Sequence, residues 1–451
     1  MNNRTSIVNR KLKEKKKMAK IAILTNFMDF IPGYSLTGIV KDQVIMLLRQ
    51  GHKVNLFVND QYNMKSGVPV SEEEITKFGG DPANYEMIAK IPFQKLTDYK
   101  SIVNLTPEDK GIIDATKNML VAELHDTDFV FTHDFVFTGW FMIYGQGCRL
   151  ASPKLPNVRG WYHWIHSMPS AMSDWWRIKQ YGPNHKLVYP NYTDRIQVAE
   201  QYHGVADDVR VIPHIKDIRT WFDFHPDTCR FIDKYPKVLS ADVVQLLPAS
   251  VDRLESKRVK EVCKIIKGIK DQGRSVCLVI ANQWATGRQQ KEDVDKYRLD
   301  AVRDGLIDQE ELIFTSDFES PKFDVGIPQR MIRELFLCSN LFVFPTREES
   351  FGLVVPEAAL SGCFLVLNRS LQMQREVSGN EALFFDFGSC HQVHTVDNPD
   401  RYYTQIGFII AGRMKENESI KTRTFARQTY NMDNLYNKYY MPVMSEARYV
   451  K

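Results

Sequence analysis

The chain has 451 residues, of which 43% are hydrophobic and 25% charged, and its formal net charge is +4. This composition is ordinary for a globular protein, and the length suffices for two or three domains. No stretch approaches the roughly 18 consecutive apolar residues of a membrane-spanning helix, and no apolar stretch follows the basic start, so neither a membrane span nor a secretory signal is expected. The mild positive charge is compatible with an anionic small molecule, nucleic acid or a membrane surface and selects none of them.

Seven cysteines are spread along the sequence, and their spacings match no zinc-binding or disulfide pattern. Several lie in apolar runs, where a cysteine behaves as a small hydrophobic residue. The expected location is therefore the reducing cytoplasm. These cysteines are Cys148, Cys229, Cys263, Cys277, Cys338, Cys363 and Cys390.

The first 17 residues are polar and basic and end in a lysine-rich run, Lys11 to Lys17. Such a segment lacks the apolar surface to fold and predicts a disordered arm. A solvated tail is the simplest interpretation. The alternative is an arm that makes weak contact with nucleic acid or with a membrane surface through its positive charge.

The chain then opens with an apolar strand at Lys20–Leu24, a helix from about Ile39 to Gln50 and a second strand at Lys53–Val58. This order predicts the start of a doubly wound α/β domain. Gly33 and Gly38 lie in the loop before the helix, where the lack of a side chain lets the backbone approach a ligand closely. Their spacing is not Gly-x-Gly-x-x-Gly, so a dinucleotide-binding fingerprint is not supported.

Three histidines mark two further buried strands, predicted at Asp128–Asp134 and Val158–Ser167. Ligands of doubly wound sheets bind beyond the carboxyl ends of the strands. His133 and His166 are predicted at those ends, whereas His163 lies inside its strand. For each of them the alternative is a hydrogen-bonded residue of the core or of a loop.

The second half of the chain repeats the α/β pattern, with a strand at Val243–Pro248 and a helix predicted from Ser250 to about Lys270. Arg253, Lys257 and Arg258 lie near the start of this helix. Lysines at a helix N-terminus oppose its dipole, so their presence favours an anion-binding site over a purely structural role. A solvated basic helix start is the alternative.

A strand–turn–helix segment follows, in which an apolar strand at Leu341–Phe344 leads into a turn and a second helix. Glu349 stands in the turn, and Glu357 follows in the helix after seven intervening residues. Unpaired N–H groups at the start of a helix suit a diphosphate or a polar sugar. Carboxylates beside them can accept hydrogen bonds from sugar hydroxyl groups. The alternative is an ordinary turn with two surface glutamates.

This segment resembles the donor-site motif of retaining glycosyltransferases of family 4, in which two glutamates are seven residues apart and Phe-Gly-Leu follows the first one closely. Here the motif reads Glu349-Ser350-Phe351-Gly352-Leu353 and then Glu357-Ala358, with Ser361-Gly362 beyond. The family usually has Gly or Pro at the position of Ser350. The resemblance is strong over residues 237–390 and weaker over 18–60 and 158–220.

The resemblance implies the GT-B fold, an α/β architecture of two doubly wound Rossmann-like domains that face each other across a cleft. The expected acceptor-side domain covers residues 18–220, and the expected nucleotide-sugar-binding domain covers 237–425. Residues 426–451 are expected to form a C-terminal helix that packs back on the first domain. Residues 1–17 are the disordered basic arm.

The resemblance also implies roles for particular residues. Arg253 and Lys257 would stabilise the diphosphate, with Arg258 competing for the second role, and Glu349 would bind the sugar. The expected catalytic residues are His166, Glu349, Arg253 and Lys257. The expected donor-binding residues are Gly33, Gly38, Arg258, Ser316, Phe318, Phe351, Gly352, Leu353, Val354 and Glu357. The expected acceptor-binding residues are His133 and His163.

The predicted activity is transfer of a sugar, with retention of its anomeric configuration, from a UDP- or GDP-sugar to a hydroxyl acceptor such as a glycan or a lipid-linked glycan. No cofactor beyond the donor is expected and no metal, since Asp293-Val294-Asp295 falls in a charged helix and is interpreted as a solvated face. Two alternatives remain open. One is a bacteriophage-type enzyme that glycosylates a hydroxylated DNA base flipped out of its helix. The other is a nucleotide-sugar-binding protein without catalysis.

Overall fold

A computed structural model describes residues 18–95, 104–167, 176–319, 321–390 and 398–446. The chain divides into two compact units. Unit 1 runs to Lys216 and takes up the chain again from Met432, and unit 2 is Asp217–Asn431. The boundaries placed from the sequence were 220, 237 and 426. The basic arm predicted at residues 1–17 lies outside the described residues.

Unit 1 is built on one sheet of seven parallel strands in the order β3-β2-β1-β4-β5-β6-β7. Every residue of β4 and β5 is buried, as expected for central strands covered on both faces. The strands are β1 Lys20–Leu24, β2 Lys53–Asn59, β3 Tyr85–Ile91, β4 Phe129–His133, β5 Gly160–Trp164, β6 His185–Tyr189 and β7 Val209–Val211.

Among the described residues of unit 1, the α-helices between these strands are α1 Ser35–Arg49, α2 Glu72–Lys77, α3 Pro107–Glu123, α4 Met142–Ala151 and α5 Arg195–Gln201. Two of them begin with the signals present in the sequence. Ser71 and Glu74 form a reciprocal capping box before α2, and Thr106 caps α3 with Pro107 at its first position.

Unit 2 has six parallel strands in two hydrogen-bonded groups, β10-β9-β8 and β11-β12-β13. They are β8 Val243–Ser250, β9 Val276–Gln283, β10 Leu312–Phe314, β11 Leu341–Phe344, β12 Phe364–Asn368 and β13 Leu383–Phe385. The helices are α6 Ile218–Trp221, α7 Pro226–Lys234, α8 Lys237–Ser240, α9 Val259–Lys270, α10 Arg288–Arg303, α11 Gln329–Cys338, α12 Val354–Leu360, α13 Gln372–Val377, α14 Asp400–Glu416 and α15 Glu418–Thr429.

A side-chain amide joins the two groups of strands in unit 2. Gln245 of β8 is fully buried, and its Nε2 donates to the Val343 carbonyl of β11 at 2.9 Å, while the Val343 N–H donates to its Oε1 at 3.1 Å. Nearby, the Asn340 N–H donates to the Val244 carbonyl at 3.0 Å, and the Val244 N–H donates to Asn340 Oδ1 at 2.9 Å. The resulting succession β10-β9-β8-β11-β12-β13 is the strand order of a Rossmann-like domain. Two doubly wound α/β domains are therefore confirmed.

One helix start differs from the prediction. The segment from Ser250 does not open a helix directly, because Val251–Arg253 form a short 3-10 turn and α9 begins only at Val259. Arg258 precedes it with a φ of +56°. A residue whose backbone is in the left-handed region interrupts helical propagation. Arg253 therefore lies in the 3-10 turn, and Lys257 and Arg258 lie in the turn before α9.

The chain returns to unit 1 through α16 Met432–Leu435, a π-helical turn at Tyr436–Tyr440 and α17 Met441–Glu446. Tyr436 and His52 share a hydrogen bond of 2.7 Å between the hydroxyl and Nε2. Tyr162 donates its hydroxyl to the Val443 carbonyl at 3.0 Å. The returning segment is thus part of the packing of α1, β4 and β5. Across the described residues, no helix combines the length and the apolar character that crossing a bilayer would require.

Candidate functional site

An open pocket of about 730 Å³ lies where β8, β9 and β11 of unit 2 end. This volume is in the range of pockets that bind small molecules. It lies at the carboxyl ends of parallel strands, the edge at which α/β sheets bind ligands. Its lining residues are Pro248, Ala249, Ser250, Arg253, Lys257, Gln283, Phe344, Glu349, Ser350, Phe351, Gly352, Leu353 and Val354.

Lys257 and Glu349 form an ion pair in this pocket. Their side chains are only 10% and 17% exposed, so water screens the pair weakly. The Lys257 ammonium also lies 5.0 Å from the centroid of the Phe344 ring, a cation–π contact. The structure therefore brings together the cation predicted for a diphosphate and the carboxylate predicted for a sugar.

Main-chain hydrogen bonds fix the loop that carries Lys257 to the loop that carries Glu349. The Ser256 carbonyl accepts from the Arg347 N–H at 2.9 Å and from the Thr346 hydroxyl at 3.2 Å. Because Ser256 and Lys257 are neighbours in the chain, these bonds place the loop of Lys257 next to the loop of Glu349.

The two arginines predicted beside Lys257 have different surroundings. Arg253 is exposed and lines the pocket, and within the described ranges no residue bonds its guanidinium. Arg258 is 2% exposed, and its Nη1 donates to the Tyr403 hydroxyl at 3.0 Å and to Glu261 at 3.5 Å. Arg258 does not line the pocket. The side chain packs instead against α14, and its role in donor binding stays a prediction.

The turn after Glu349 requires glycine at one position. Gly352 has a φ of +73°, and a Cβ there would lie 3.1 Å from Glu349 Cγ. The N–H groups of Val355 and Glu357 bond the carbonyls of Gly352 and Leu353 at 2.8 and 3.2 Å. Those of Phe351, Gly352, Leu353 and Val354 meet no acceptor in the described part of the chain. These four groups lie in the pocket lining, as the sequence predicted.

Glu357 lies on α12 and is not among the residues that line the pocket. Its Oε1 accepts a hydrogen bond of 3.1 Å from Gln329 Nε2. Because Glu357 is half-buried and its neighbour is an exposed amide, it remains accessible to a ligand. Its role in binding the donor stays a prediction.

Ser316 and Phe318, which follow β10, were predicted to bind the donor. Ser316 lines a separate, polar pocket of about 500 Å³ in unit 2, and its hydroxyl accepts from Asn282 Nδ2 at 2.9 Å. Phe318 is 5% exposed and stacks on Phe323 with ring centroids 5.7 Å apart. Its ring is packed in the core and does not line either pocket, and its contact with the donor stays a prediction.

Unit 1 has a second polar cluster at the carboxyl end of its sheet. His133 Nδ1 and His166 Nε2 are 2.9 Å apart, and His133 Nε2 lies 2.8 Å from Gln43 Oε1. The His166 ring stacks on His214 with centroids 5.1 Å apart. The structure thus brings together His133 and His166, as predicted for two strand ends, and adds His214 from the loop after β7.

Burial keeps these histidines neutral. It lowers the pKa of His166 to about 3, with a further contribution from His214. The pKa of His133 is well below its usual value, because burial and the neighbouring His166 and His214 all disfavour a positive charge. Burial and then Lys216 lower the pKa of His214 in the same way. The cluster therefore offers neutral imidazoles as hydrogen-bonding groups near pH 7.

His163 does not lie at this edge, and the structure does not bring it together with His133 and His166. Its side chain is fully buried, with Nδ1 3.0 Å from the Thr132 hydroxyl and Nε2 2.9 Å from His185 Nδ1. His185 Nε2 in turn lies 2.8 Å from the Ser152 hydroxyl. A chain of internal hydrogen bonds satisfies the ring, which is why this polar side chain is stable in the core.

The two glycines of the first loop are placed differently from each other. Gly33 lies in the turn before α1, whereas Gly38 lies within α1, because the helix begins at Ser35 and not at Ile39. An added Cβ at either glycine would meet no atom within 4 Å. Both belong to unit 1, and their part in donor binding stays a prediction.

Sequence reasoning missed Asp134 as a site residue. It follows β4 with a φ of +45°, and its Oδ1 accepts from the His166 N–H at 3.5 Å. Burial raises the pKa of this carboxyl to about 6, and the His166 N–H opposes the shift. A non-glycine residue in the left-handed region at a strand end is a feature of functional sites. The sequence feature that could have identified Asp134 is the polar His133-Asp134 pair that ends an apolar run.

No three side chains of His, Cys, Asp or Glu converge as a metal site among the residues that the structure describes. Asp293 and Asp295 lie on α10, where Asp293 accepts a hydrogen bond from Gln289 and Asp295 pairs with Arg298. Their contacts are those of a polar helix face.

No family model matches the sequence, and no curated protein is significantly similar to it. A glycosyltransferase from Rickettsia africae has 13% identity over 96% of this chain and 100% of its own, with a TM-score of 0.36. A sucrose-phosphate synthase from Thermosynechococcus elongatus has 13% identity over 95% and 97%, with a TM-score of 0.29. WaaG, a glycosyltransferase of lipopolysaccharide biosynthesis, has 13% identity over 96% and 99%, with a TM-score of 0.28. Similarity this low establishes neither family nor activity, which must be argued from the residues of this chain.

Proposed function

We propose that the chain is a glycosyltransferase of the GT-B type that moves a sugar from a nucleotide-sugar donor to a hydroxyl acceptor. One observation carries the proposal: a single pocket at the strand ends of unit 2 collects Arg253, Lys257, Glu349 and the turn at Gly352. Cations beside a diphosphate stabilise the charge that develops as the glycosidic bond breaks. A carboxylate accepts hydrogen bonds from sugar hydroxyl groups.

The charges of the pocket suit a nucleoside diphosphate. Among its lining residues the charged side chains are Arg253, Lys257 and Glu349. Lys257 is already paired with Glu349, so the exposed Arg253 is the first cation that an incoming diphosphate meets. A diphosphate that then shares Lys257 releases Glu349 to accept hydrogen bonds from the sugar. The pair therefore holds both groups in place for the donor, which we take to be a UDP- or GDP-sugar.

We further propose that transfer proceeds with retention and needs no divalent metal. Glu349 is the one carboxylate among the pocket's lining residues, and it is held by Lys257 instead of standing free as a nucleophile. In this mechanism the leaving phosphate takes the proton of the acceptor hydroxyl on the face where that hydroxyl attacks. Arg253 and Lys257 supply the positive charge that a metal ion supplies in other transferases.

The acceptor is proposed to be a hydroxyl of a glycan or a lipid-linked glycan. His166, with His133 behind it, is the proposed hydrogen-bonding partner of the transferred sugar. Glycosylation of a DNA base is the competing acceptor class. It would require DNA affinity that falls steeply as salt is raised, a property that a gel-shift series measures directly.

The test is donor binding and slow donor hydrolysis across UDP-, GDP- and ADP-sugars. We expect one donor class to bind, and both Glu349→Ala and Arg253→Ala to weaken its affinity by about 10-fold or more, the loss of one charge-assisted hydrogen bond. Glu348→Ala is the matched control, because Glu348 is exposed in the same turn and does not line the pocket. NMR of the product reports the anomeric configuration, and EDTA tests metal dependence.

The proposal is overturned if no nucleotide sugar binds, or if Glu348→Ala weakens binding as much as Glu349→Ala does. Binding without hydrolysis or transfer to any acceptor would instead support the nucleotide-sugar-binding protein without catalysis.

A further inference from the structure

Two side chains connect the histidine cluster of unit 1 to the returning C-terminal segment. Gln43, on α1, places its Oε1 2.8 Å from His133 Nε2 and donates from its Nε2 to the Tyr440 hydroxyl at 2.9 Å. Gln43 is 1% exposed and Tyr440 3% exposed. His133 continues the chain through Nδ1 to His166 Nε2 at 2.9 Å. A continuous line of hydrogen bonds therefore runs from Tyr440 to His166.

The chemistry of these groups determines which atom donates and which accepts in each hydrogen bond of this line. A carboxamide oxygen only accepts hydrogen bonds, so His133 must carry its proton on Nε2. His133 is neutral, because burial and two neighbouring imidazoles hold its pKa well below the usual value. A neutral imidazole with a proton on Nε2 accepts at Nδ1. The proton between the two rings consequently belongs to His166 Nε2.

This direction leaves His166 Nδ1 without a proton. The atom is buried, and within the described ranges it has no hydrogen-bond partner. A buried polar atom without a partner is uncommon, and it demands a ligand or another explanation. The stacking of the ring on His214 further restricts its orientation.

We propose that Gln43 and Tyr440 are positioning residues that hold His166 in the tautomer with the proton on Nε2, so that Nδ1 accepts a hydrogen bond from a substrate hydroxyl group. The substrate part of this proposal rests on the glycosyltransferase function, whereas the tautomer does not. The arrangement selects the chemical class of the group that faces His166. A hydroxyl can donate to Nδ1, whereas a phosphate or carboxylate oxygen cannot and would be repelled by the lone pair. The opposite tautomer would invert this preference.

The tautomer is measured by NMR of the full chain labelled with ¹⁵N at histidine, with His166→Asn identifying the signals. We expect a non-protonated Nδ1 and a protonated Nε2 for His166 in the wild type. Gln43→Leu removes the acceptor for His133 and should mix the two tautomers of His166. Tyr440→Phe frees the carboxamide to rotate and should have the same effect. Gln43→Glu keeps an acceptor oxygen and should preserve the wild-type tautomer.

Tyr436→Phe is the matched control. Tyr436 lies in the same turn as Tyr440, is buried and also bonds a histidine, His52, which is not part of this line of hydrogen bonds. Its loss should leave the His166 signals unchanged. With a donor and an acceptor in hand, Tyr440→Phe should lower kcat about tenfold, the effect of losing one hydrogen bond, with little change in KM.

The outcomes separate the two proposals. A proton on Nδ1 of His166 in the wild type would show that the Gln43 carboxamide is reversed and would overturn the inference. An unchanged tautomer in both Gln43→Leu and Tyr440→Phe would overturn it as well. Tautomer mixing in a protein that transfers no sugar would support the positioning role and refute the glycosyltransferase function.

Discussion

Replacing Gln245 with leucine should weaken the association of strands β8 and β11. The side chain is fully buried and makes two hydrogen bonds to Val343, at 2.9 and 3.1 Å. Leucine is similar in volume but leaves the N–H and the carbonyl of Val343 unsatisfied in the core. Each buried group without a partner costs about 1–3 kcal/mol, so the pair should cost about 2–6 kcal/mol. Because the ends of β8 and β11 both line the candidate pocket, affinity for the proposed donor should fall as well.

Hydrogen exchange is the appropriate assay, because a protein of two units need not unfold in a single transition. A loss of 2 kcal/mol or more corresponds to amide exchange at least about 30-fold faster in peptides that cover β8 and β11. Gln272→Leu is the control, since Gln272 is exposed after α9. If exchange of the two strands is as slow in Gln245→Leu as in this control, the carboxamide does not join them as described.

Two further predictions concern the candidate sites. Gly352→Ala should weaken donor binding, because a Cβ at a φ of +73° would lie 3.1 Å from Glu349 Cγ. The control is Gly273→Ala, at a φ of +76° with open space around it, which should lower stability by about 1–2 kcal/mol and leave the donor Kd unchanged. Equal Kd values for the two variants in titration calorimetry would refute this reasoning. Since burial raises the pKa of Asp134 from 3.8 to about 6, the folded protein keeps a proton that the unfolded chain has released, and the free energy of unfolding should fall as the pH rises through that interval. Asp134→Asn should reduce this slope in urea unfolding at pH 4 to 7, and identical slopes would show that Asp134 does not titrate there.

The elements that sequence reasoning predicted well are those specified by neighbouring residues. The capping boxes at Ser71 and Thr106 involve groups within one helical turn, and the strands are apolar runs bounded by turn residues. The turn at Gly352 was also readable, because its left-handed backbone demands glycine. The resemblance assigned Lys257 and Glu349 to the diphosphate and the sugar of one donor, but the ion pair between them was not predicted.

The predicted site residues that the structure places away from the pocket and from the sheet edge are side chains whose surroundings come from distant segments. Arg258 bonds Tyr403, and Phe318 packs on Phe231 with ring centroids 5.5 Å apart, contacts that no local pattern announces. His163 looked like a site residue because it is polar, but His185 satisfies it from the next strand. Gln43 gave no signal at all, since its importance depends on a helix, a strand end and a C-terminal turn that meet only in the folded protein.

The return of the chain to unit 1 affects how the protein folds during synthesis. Unit 2 is encoded without interruption and can complete its core as soon as residues 217–431 have left the ribosome. Unit 1 is synthesised first, but it lacks the segment from Met432 until much later. An N-terminal domain usually folds first during synthesis. Here the last step in the folding of unit 1 comes after unit 2 has been synthesised. The hydrogen bonds of His52 with Tyr436 and of Gln43 with Tyr440 therefore cannot form until the whole of unit 2 has been translated.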